Sequence, residues 1–148
     1  MLINQLNLLL ADDDTDDCIF FQEALEELPV AVNLATVNDG VQLMNLLSKK
    51  QESLPDLLFL DLNMPRKTGM ECLSEIKRNE KLRHLPVIIF STSINMEVMN
   101  ELFNKGASHY IRKPAEFSKL KKVIGDAITI SSKNNPLKPS RENFLIQA

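Results

Sequence analysis

The segment Leu57-Leu58-Phe59-Leu60 decides the fold that this sequence predicts. Four consecutive apolar residues are too few for a buried helix, and a strand that is apolar at every position must be covered on both faces. A second segment of this kind, Val87-Ile88-Ile89-Phe90, lies further along the chain. The two segments therefore predict the central strands of a buried sheet.

On both sides of these strands, short apolar runs alternate with segments in which apolar residues recur at helical spacing. Strands are predicted at 6–11, 32–37, 56–60, 87–90 and 108–112, and helices at 15–28, 40–50, 69–78, 96–104 and 117–130. Such alternation predicts an α/β fold with a parallel sheet. The second and fifth strands mix polar and apolar residues, as edge strands do. The expected order is therefore 2-1-3-4-5, a doubly wound, flavodoxin-like sheet.

The chain has 148 residues, 44% of them apolar, and a net charge of -3. These values suit one domain, assigned to residues 1–130, followed by a C-terminal extension at 131–148. The extension is a polar linker with an apolar end at 143–146, which could dock on the domain, pair with another subunit in a homodimer, or fray. We expect no nucleic-acid partner, because a basic surplus is missing. We also expect no membrane segment or export signal, and hence a cytoplasmic location.

Polar side chains with useful chemistry follow four of the predicted strands. Because ligands of doubly wound sheets bind at the carboxyl ends of the strands, we expect these side chains to form one site. In chain order they are Asp12 and Asp13, then Asp61, then Ser91 and Thr92, and finally Lys113 followed by Pro114.

Other polar residues nearby have simpler interpretations. Asp14, Asp16 and Asp17 are interpreted as helix-capping acids and partners of the helix dipole. His84 and His109 are not needed by the site, and both are expected on the surface.

The charge of the predicted site indicates a divalent cation. Asp12, Asp13 and Asp61 carry three negative charges and Lys113 returns one positive charge, so two negative charges remain. Carboxylates placed together must either bind protons or bind a cation. Hard oxygen ligands favour Mg²⁺, which lets an anionic carboxylate accept an anionic phosphoryl group. Asp61, on the central strand, is the best candidate for the nucleophile.

Four motifs, in order and spacing, resemble the receiver domain of bacterial response regulators over about residues 5–130. The resemblance is strongest to small single-domain regulators, including those paired with phytochrome-type kinases. The motifs are Leu8-Leu9-Leu10-Ala11-Asp12-Asp13, Leu60-Asp61-Leu62-Asn63-Met64-Pro65 with Gly69, Phe90-Ser91-Thr92, and Gly106-Ala107-Ser108-His109-Tyr110-Ile111-Arg112-Lys113-Pro114.

The resemblance implies roles for the acids and for the residues around them. Asp61 is the expected phosphoacceptor. Asp13 and Asp61 are expected to hold Mg²⁺ together with the backbone carbonyl of Asn63, and Asp12 is expected to act directly or through water.

The resemblance also implies how phosphorylation is sensed. Ser91 is expected to hydrogen-bond the phosphoryl group, and Lys113 to form an ion pair with it. Tyr110 is expected to be the aromatic switch that rotates inward when Ser91 moves, the alternative being a half-exposed tyrosine on an edge strand. The Lys113–Pro114 peptide bond is expected to be cis.

Two residues depart from the pattern of the family. Thr68 stands where an aspartate often precedes the glycine, and little effect on chemistry is expected. Thr92 stands where many members have alanine, and its bulk is expected to modulate access to the phosphoryl group.

The expected function is that of a stand-alone response regulator. It would accept a phosphoryl group from a sensor histidine kinase or a phosphotransfer protein, and then change its contacts with an unidentified downstream protein or pass the group on. It would be a phosphoacceptor that promotes its own phosphorylation and dephosphorylation, not an enzyme.

The alternatives are a degenerate receiver that binds partners without phosphorylation, and an aspartyl-phosphate-type phosphatase, which usually has a second acid where this chain has Asn63. A flavin-binding module is disfavoured, because the aspartates after the first strand would repel a phosphate.

Overall fold

A computed structural model describes residues 5–49, 54–132 and 140–147 of the chain. Within these residues, strands and helices alternate as the sequence predicts. The elements are β1 (Leu6–Ala11), α1 (Thr15–Glu26), β2 (Val32–Val37), α2 (Gly40–Ser48), β3 (Leu57–Leu60), α3 (Gly69–Arg78), β4 (Val87–Ser91), α4 (Met96–Lys105), β5 (His109–Arg112), α5 (Phe117–Ser132) and β6 (Leu145–Ile146), with a 3-10 turn at Arg141–Asn143.

The described strands form one parallel sheet in the order β2-β1-β3-β4-β5-β6. The predicted order 2-1-3-4-5 is confirmed, and β6 is added beside β5. Every residue of β3 and β4 is buried, as predicted for central strands. Because all strands run in one direction, their carboxyl ends lie at the same edge of the sheet.

Two hydrophobic layers cover the sheet. On one face, α1 and α5 pack over a cluster in which the Phe21 ring meets the rings of Phe59 and Phe90 edge to face, with centroids 4.9 and 5.5 Å apart. On the other face, α2, α3 and α4 pack over a second cluster that includes Leu58 and Ile89. These layers fix the strands rigidly, and the strand ends are fixed with them.

Local capping explains where the helices begin and end. Asp14 caps α1, since its side chain accepts a hydrogen bond from the backbone of Asp17, as interpreted from the sequence. Thr68 caps α3 and forms a capping box with Glu71, which gives this departure from the family pattern a structural role. Gly106 ends α4 in the left-handed conformation at φ 100°.

The C-terminal segment corrects the prediction that β5 lies at the edge of the sheet. Tyr110 and Ile111 of β5 pair with Leu145 and Ile146 of β6, and Phe144 is fully buried. Of the outcomes left open by the sequence, residues 140–147 therefore show docking on their own domain. The predicted linker at 133–139 lies outside the described residues.

The position of His109 was predicted wrongly. It is buried, at 7% exposure, and its Nδ1 has no hydrogen-bond partner among the described residues, whereas His84 is exposed as expected. Burial lowers the pKa of His109.

No helix in the described part of the chain is long and apolar enough to cross a membrane.

Candidate functional site

Three carboxylates converge at the carboxyl edge of the sheet. Each of Asp12, Asp13 and Asp61 offers one oxygen, and these oxygens lie within 4.8 Å of one another. Asp12 is fully buried and Asp61 is 5% exposed, whereas Asp13 faces solvent. The structure thus brings together the acids that the sequence assigned to one site.

Backbone hydrogen bonds hold the two buried acids in place. The backbone N–H of Asp61 donates to the Ala11 carbonyl at 2.9 Å, and that of Asp12 donates to the Val37 carbonyl at 3.0 Å. After Asp61, the chain passes so close to Gly69 that a Cβ there would lie 2.2 Å from the Asp61 carbonyl oxygen. A glycine is required at position 69 because only this residue leaves room for the loop that follows Asp61.

Lys113 supplies the positive charge of the site. Its Nζ lies 2.8 Å from Asp12 Oδ2 and 3.5 Å from Asp61 Oδ2, and its side chain is 9% exposed. The ammonium also lies 5.3 Å from the centroid of the Phe90 ring. Burial lowers the pKa of Lys113, but hydrogen bonds to Asp12 and Asp17 outweigh burial and leave this pKa above its ordinary value.

Asp17 is a member of the site that the sequence interpretation missed. Its Oδ2 lies 2.9 Å from Lys113 Nζ, and its side chain is 35% exposed. The interpretation as a dipole partner in the first turn of α1 was incomplete, because the same turn faces the end of β5. The available signal was spacing: Asp17 follows the helix cap Asp14 by three residues, and the N-terminal end of α1 adjoins the strand end at Asp12.

The pKa of the Asp61 carboxyl group lies above its ordinary value. Burial raises the pKa of Asp61 from 3.8 to about 6, and the charge of Asp12 acts in the same direction. Lys113 opposes the rise, as does the backbone N–H of Asn63, which donates to Asp61 Oδ1 at 3.4 Å. A carboxylate in this environment is stabilised by additional positive charge.

The donor set fits a hard divalent cation. Three carboxylates with one ammonium leave an excess of negative charge, and the raised pKa of Asp61 reflects that excess together with burial. All candidate ligands are oxygens, which suits Mg²⁺ or Mn²⁺ better than a metal that prefers thiolate or imidazole. The contribution of the Asn63 carbonyl stays a prediction.

Ser91 and Thr92 occupy contrasting positions at the end of β4. Ser91 is fully buried, and its hydroxyl has no hydrogen-bond partner among the described residues. The backbone N–H of Lys113 donates to the Ser91 carbonyl at 2.8 Å, so the two strand ends are held side by side. Thr92, the next residue, is exposed. A buried hydroxyl without a partner has the capacity to bond an incoming acceptor oxygen.

Tyr110 is buried, so the alternative of a half-exposed edge tyrosine is wrong. Only 1% of it is exposed, its hydroxyl donates a hydrogen bond to the Ser93 carbonyl, and its ring lies 6.5 Å from that of Phe144. Burial raises the pKa of Tyr110. The cover supplied by the C-terminal segment explains why the sequence pattern underestimated this burial.

The predicted cis bond between Lys113 and Pro114 is also wrong. No cis peptide bond occurs among the described residues, and the Lys113–Pro114 bond is trans. The trans form is the lower-energy form of an X-Pro bond in most contexts.

Comparison with known proteins gives consistent matches. A family model described as "Response regulator receiver domain" matches residues 8–125. Response regulator Rcp1 of Synechocystis sp. is 31% identical over 121 residues, which cover 79% of this chain and 82% of Rcp1. The crystal structure of a phosphorylated cyanobacterial phytochrome response regulator, RcpA, matches with a TM-score of 0.81 and 33% identity, covering 93% of this chain and 100% of that one. The Mn²⁺-bound form of Rcp1 matches with a TM-score of 0.77 and 28% identity, covering 91% and 99%. These matches confirm the resemblance that the four motifs indicate.

Proposed function

We propose, since this chain belongs to the response regulator receiver domain family, that it accepts a phosphoryl group on Asp61 and changes its protein contacts in response. The observation that carries this proposal is the cluster of side chains at the carboxyl edge of the sheet. Asp61 lies there beside two further carboxylates, the ammonium of Lys113 and the unpartnered hydroxyl of Ser91.

Phosphorylation of Asp61 is a displacement at phosphorus. A carboxylate oxygen of Asp61 forms the new P–O bond, while the bond from phosphorus to the donor breaks and the donor keeps the electron pair. The donor is a phosphohistidine of a sensor kinase or phosphotransfer protein, or a small acyl phosphate. Water then attacks phosphorus, the bond from phosphorus to the Asp61 oxygen breaks, and the carboxylate keeps the electron pair while phosphate leaves. The protein thus promotes its own dephosphorylation, and the phosphorylated form has a limited lifetime.

Asp12, Asp13 and Asp61, with the backbone carbonyl of Asn63, would hold Mg²⁺. When bound, the cation supplies positive charge that neutralises the phosphoryl oxygens as they approach the acids. Lys113, which follows β5 at the same edge of the sheet, supplies a second positive charge 3.5 Å from Asp61 in the unphosphorylated protein. Together these charges support attack by a carboxylate on an anionic group.

Ser91 and Tyr110 would convert the new charge into a change of shape. The phosphoryl oxygens attract the buried Ser91 hydroxyl. The loop after β4 moves with Ser91, and its Ser93 carbonyl carries the hydrogen bond from Tyr110. Because Tyr110 is already buried, we expect phosphorylation to stabilise this inward arrangement over others, which is a shift of population.

The proposed donor and output follow from the family and its named relatives. A histidine kinase or phosphotransfer protein is the expected partner of a receiver, and the resemblance to phytochrome response regulators makes a phytochrome-type kinase the first candidate. The complete set of site residues disfavours a degenerate receiver. Asn63, in place of a second acid, disfavours a phosphatase.

Incubation with acetyl phosphate and Mg²⁺, followed by intact-mass measurement, tests the proposal. We expect the wild type to gain one phosphoryl group, Asp61→Asn to gain none, and excess EDTA to prevent the gain. Asp56→Asn is the matched control, because Asp56 precedes the other end of the same strand, and it should behave as the wild type does. Absence of labelling in the wild type would contradict the proposal and favour the degenerate receiver.

Thr92 should lengthen the life of the phosphoryl group on Asp61. It is exposed directly after Ser91, and we propose that its methyl group and hydroxyl narrow the path by which water reaches the phosphoryl group. We expect Thr92→Ala to shorten the phosphoryl half-life roughly threefold, the effect of a barrier lowered by less than 1 kcal/mol. Decay of the labelled protein, followed by intact mass after removal of the donor, measures the half-life. Ser93→Ala removes the next exposed side chain and should leave it unchanged, whereas equal half-lives for wild type and Thr92→Ala would refute this role.

A further inference from the structure

The ammonium of Lys113 lies among three carboxylates, of which two belong to the candidate cation site and one does not. Asp12 Oδ2, at 2.8 Å, and Asp61 Oδ2, at 3.5 Å, belong to the acids whose oxygens converge on a possible cation. Asp17 Oδ2, at 2.9 Å, belongs to a residue outside that group. Lys113 therefore has two carboxylate partners that a cation would also bind, Asp12 and Asp61, and one that a cation would not contact, Asp17.

A cation and the ammonium compete for the same oxygens. The Lys113 Nζ occupies the Asp12 oxygen at ion-pair distance, and two positive charges at the same carboxylate repel each other. A divalent ion can bind fully only if the ammonium gives up part of its contact with Asp12 and Asp61. Because the ammonium is largely excluded from water, it needs another anionic partner when it does so.

The position of Asp17 suits it to be that partner. It lies in the first turn of α1, where its backbone N–H donates to the side chain of the cap Asp14 at 3.1 Å, so its position is set by the helix end. Its side chain is 35% exposed, whereas that of Lys113 is 9% exposed and that of Asp12 is fully buried. The end of the Lys113 side chain lies over the Phe90 ring, which offers a surface on which the ammonium can turn from one carboxylate to another.

We infer that Asp17 is a positioning residue for Lys113, which holds the ammonium at the α1 side of the pocket and so leaves the oxygens of Asp12 and Asp61 open to the cation. This inference rests on the proposed function, because it concerns the same pocket. It adds a role for an acid that touches neither the cation nor the phosphoryl group and acts only through the lysine.

Calorimetric titration with Mn²⁺, repeated with Mg²⁺, measures the consequence directly, without phosphorylation. We expect Asp17→Asn to weaken cation binding about fivefold, the value of a well-placed but partly exposed ion pair. Asp17→Glu keeps the charge and should restore most of the affinity. Asp16→Asn is the matched control, because it removes the same charge from the neighbouring exposed position in the same helical turn, and it should change the affinity less than about twofold.

A double-mutant cycle shows whether Asp17 acts through the lysine. Lys113→Met replaces the long side chain by an apolar one of similar length and removes the competitor, so cation binding should tighten. In that background, Asp17→Asn should lose most of its effect, because no ammonium remains to be held. Circular dichroism of each variant confirms that the fold is retained.

The outcomes separate the inference from the function on which it rests. Absence of cation binding in the wild type would contradict the proposed function itself. Wild-type binding with unchanged affinity in Asp17→Asn would overturn only the role of Asp17. An equal loss of affinity on Asp17→Asn with and without Lys113 would show that Asp17 acts on the cation directly, which also overturns the inference.

Discussion

Asp61→Asn is expected to make the cation-free protein more stable by about 2 kcal/mol at pH 7.5, although it removes the residue at the centre of the site. Burial and the neighbouring charge of Asp12 raise the pKa of Asp61 to about 6, so the folded protein holds this group ionised at a cost. A rise of roughly two pKa units corresponds to about 3 kcal/mol. Loss of the contacts with Lys113 and with the backbone of Asn63 reduces the gain from the substitution.

The sign of the pH dependence follows from the direction of this shift. In the unfolded chain Asp61 ionises near pH 4, whereas in the folded chain it ionises only near pH 6. The contribution of Asp61 to the free energy of unfolding is therefore largest below pH 4, falls as the pH rises from 4 to 6, and is constant above that range. Asp61→Asn should lack this fall.

Urea denaturation in EDTA, followed by circular dichroism between pH 4 and 8, measures both effects. Asp16→Asn, at an exposed position, should change the free energy of unfolding by less than about 0.5 kcal/mol. Addition of Mg²⁺ should stabilise the wild type and not Asp61→Asn, because the cation then relieves the same charge that the substitution removes. An Asp61→Asn protein that is less stable than the wild type in EDTA at pH 7.5 would contradict the conclusion that the ionised Asp61 destabilises the folded protein.

The sheet and most of the site were predictable because the determining features are local. Four apolar residues in a row at 57–60 specify a doubly buried strand whatever surrounds them, and the residue after such a strand emerges at its carboxyl end. Parallel pairing then brings Asp12, Asp61 and Lys113 together, although they are far apart in sequence. Predicting convergence required only the direction of the strands.

The features that were missed depend on contacts between distant segments that leave no periodic pattern. In the sequence, Asp17 is one of several aspartates at the start of α1 and looks like its neighbours. Only its distance to Lys113 in the structure distinguishes it from them. Tyr110 pairs with a strand of two residues near the C-terminus, which is shorter than any window in which alternation can be recognised. The sequence pattern showed that the end of the chain is apolar, but not where it binds.

Phe144→Ala is expected to lower the free energy of unfolding by about 3 kcal/mol, an effect typical of a large residue in a domain core. Phe144 is fully buried, and its ring meets that of Phe103 edge to face with centroids 5.3 Å apart. Its carbonyl also accepts the backbone N–H of Tyr110 at 2.9 Å. If the C-terminal segment detaches from β5 instead of leaving a cavity, the loss is limited to the free energy with which that segment docks.

Two measurements distinguish these outcomes and test whether residues 140–147 dock in solution. Urea denaturation gives the loss of stability, and Gln147→Ala, an exposed change in the same segment, should cost less than about 0.5 kcal/mol. The chain has one tyrosine and no tryptophan, so its intrinsic fluorescence reports Tyr110 alone. Quenching by acrylamide should increase in Phe144→Ala if the segment detaches and should change little if a cavity remains. Wild-type stability together with wild-type quenching in Phe144→Ala would show that the segment does not cover β5 in solution, because a residue that contributes no packing can be truncated without loss.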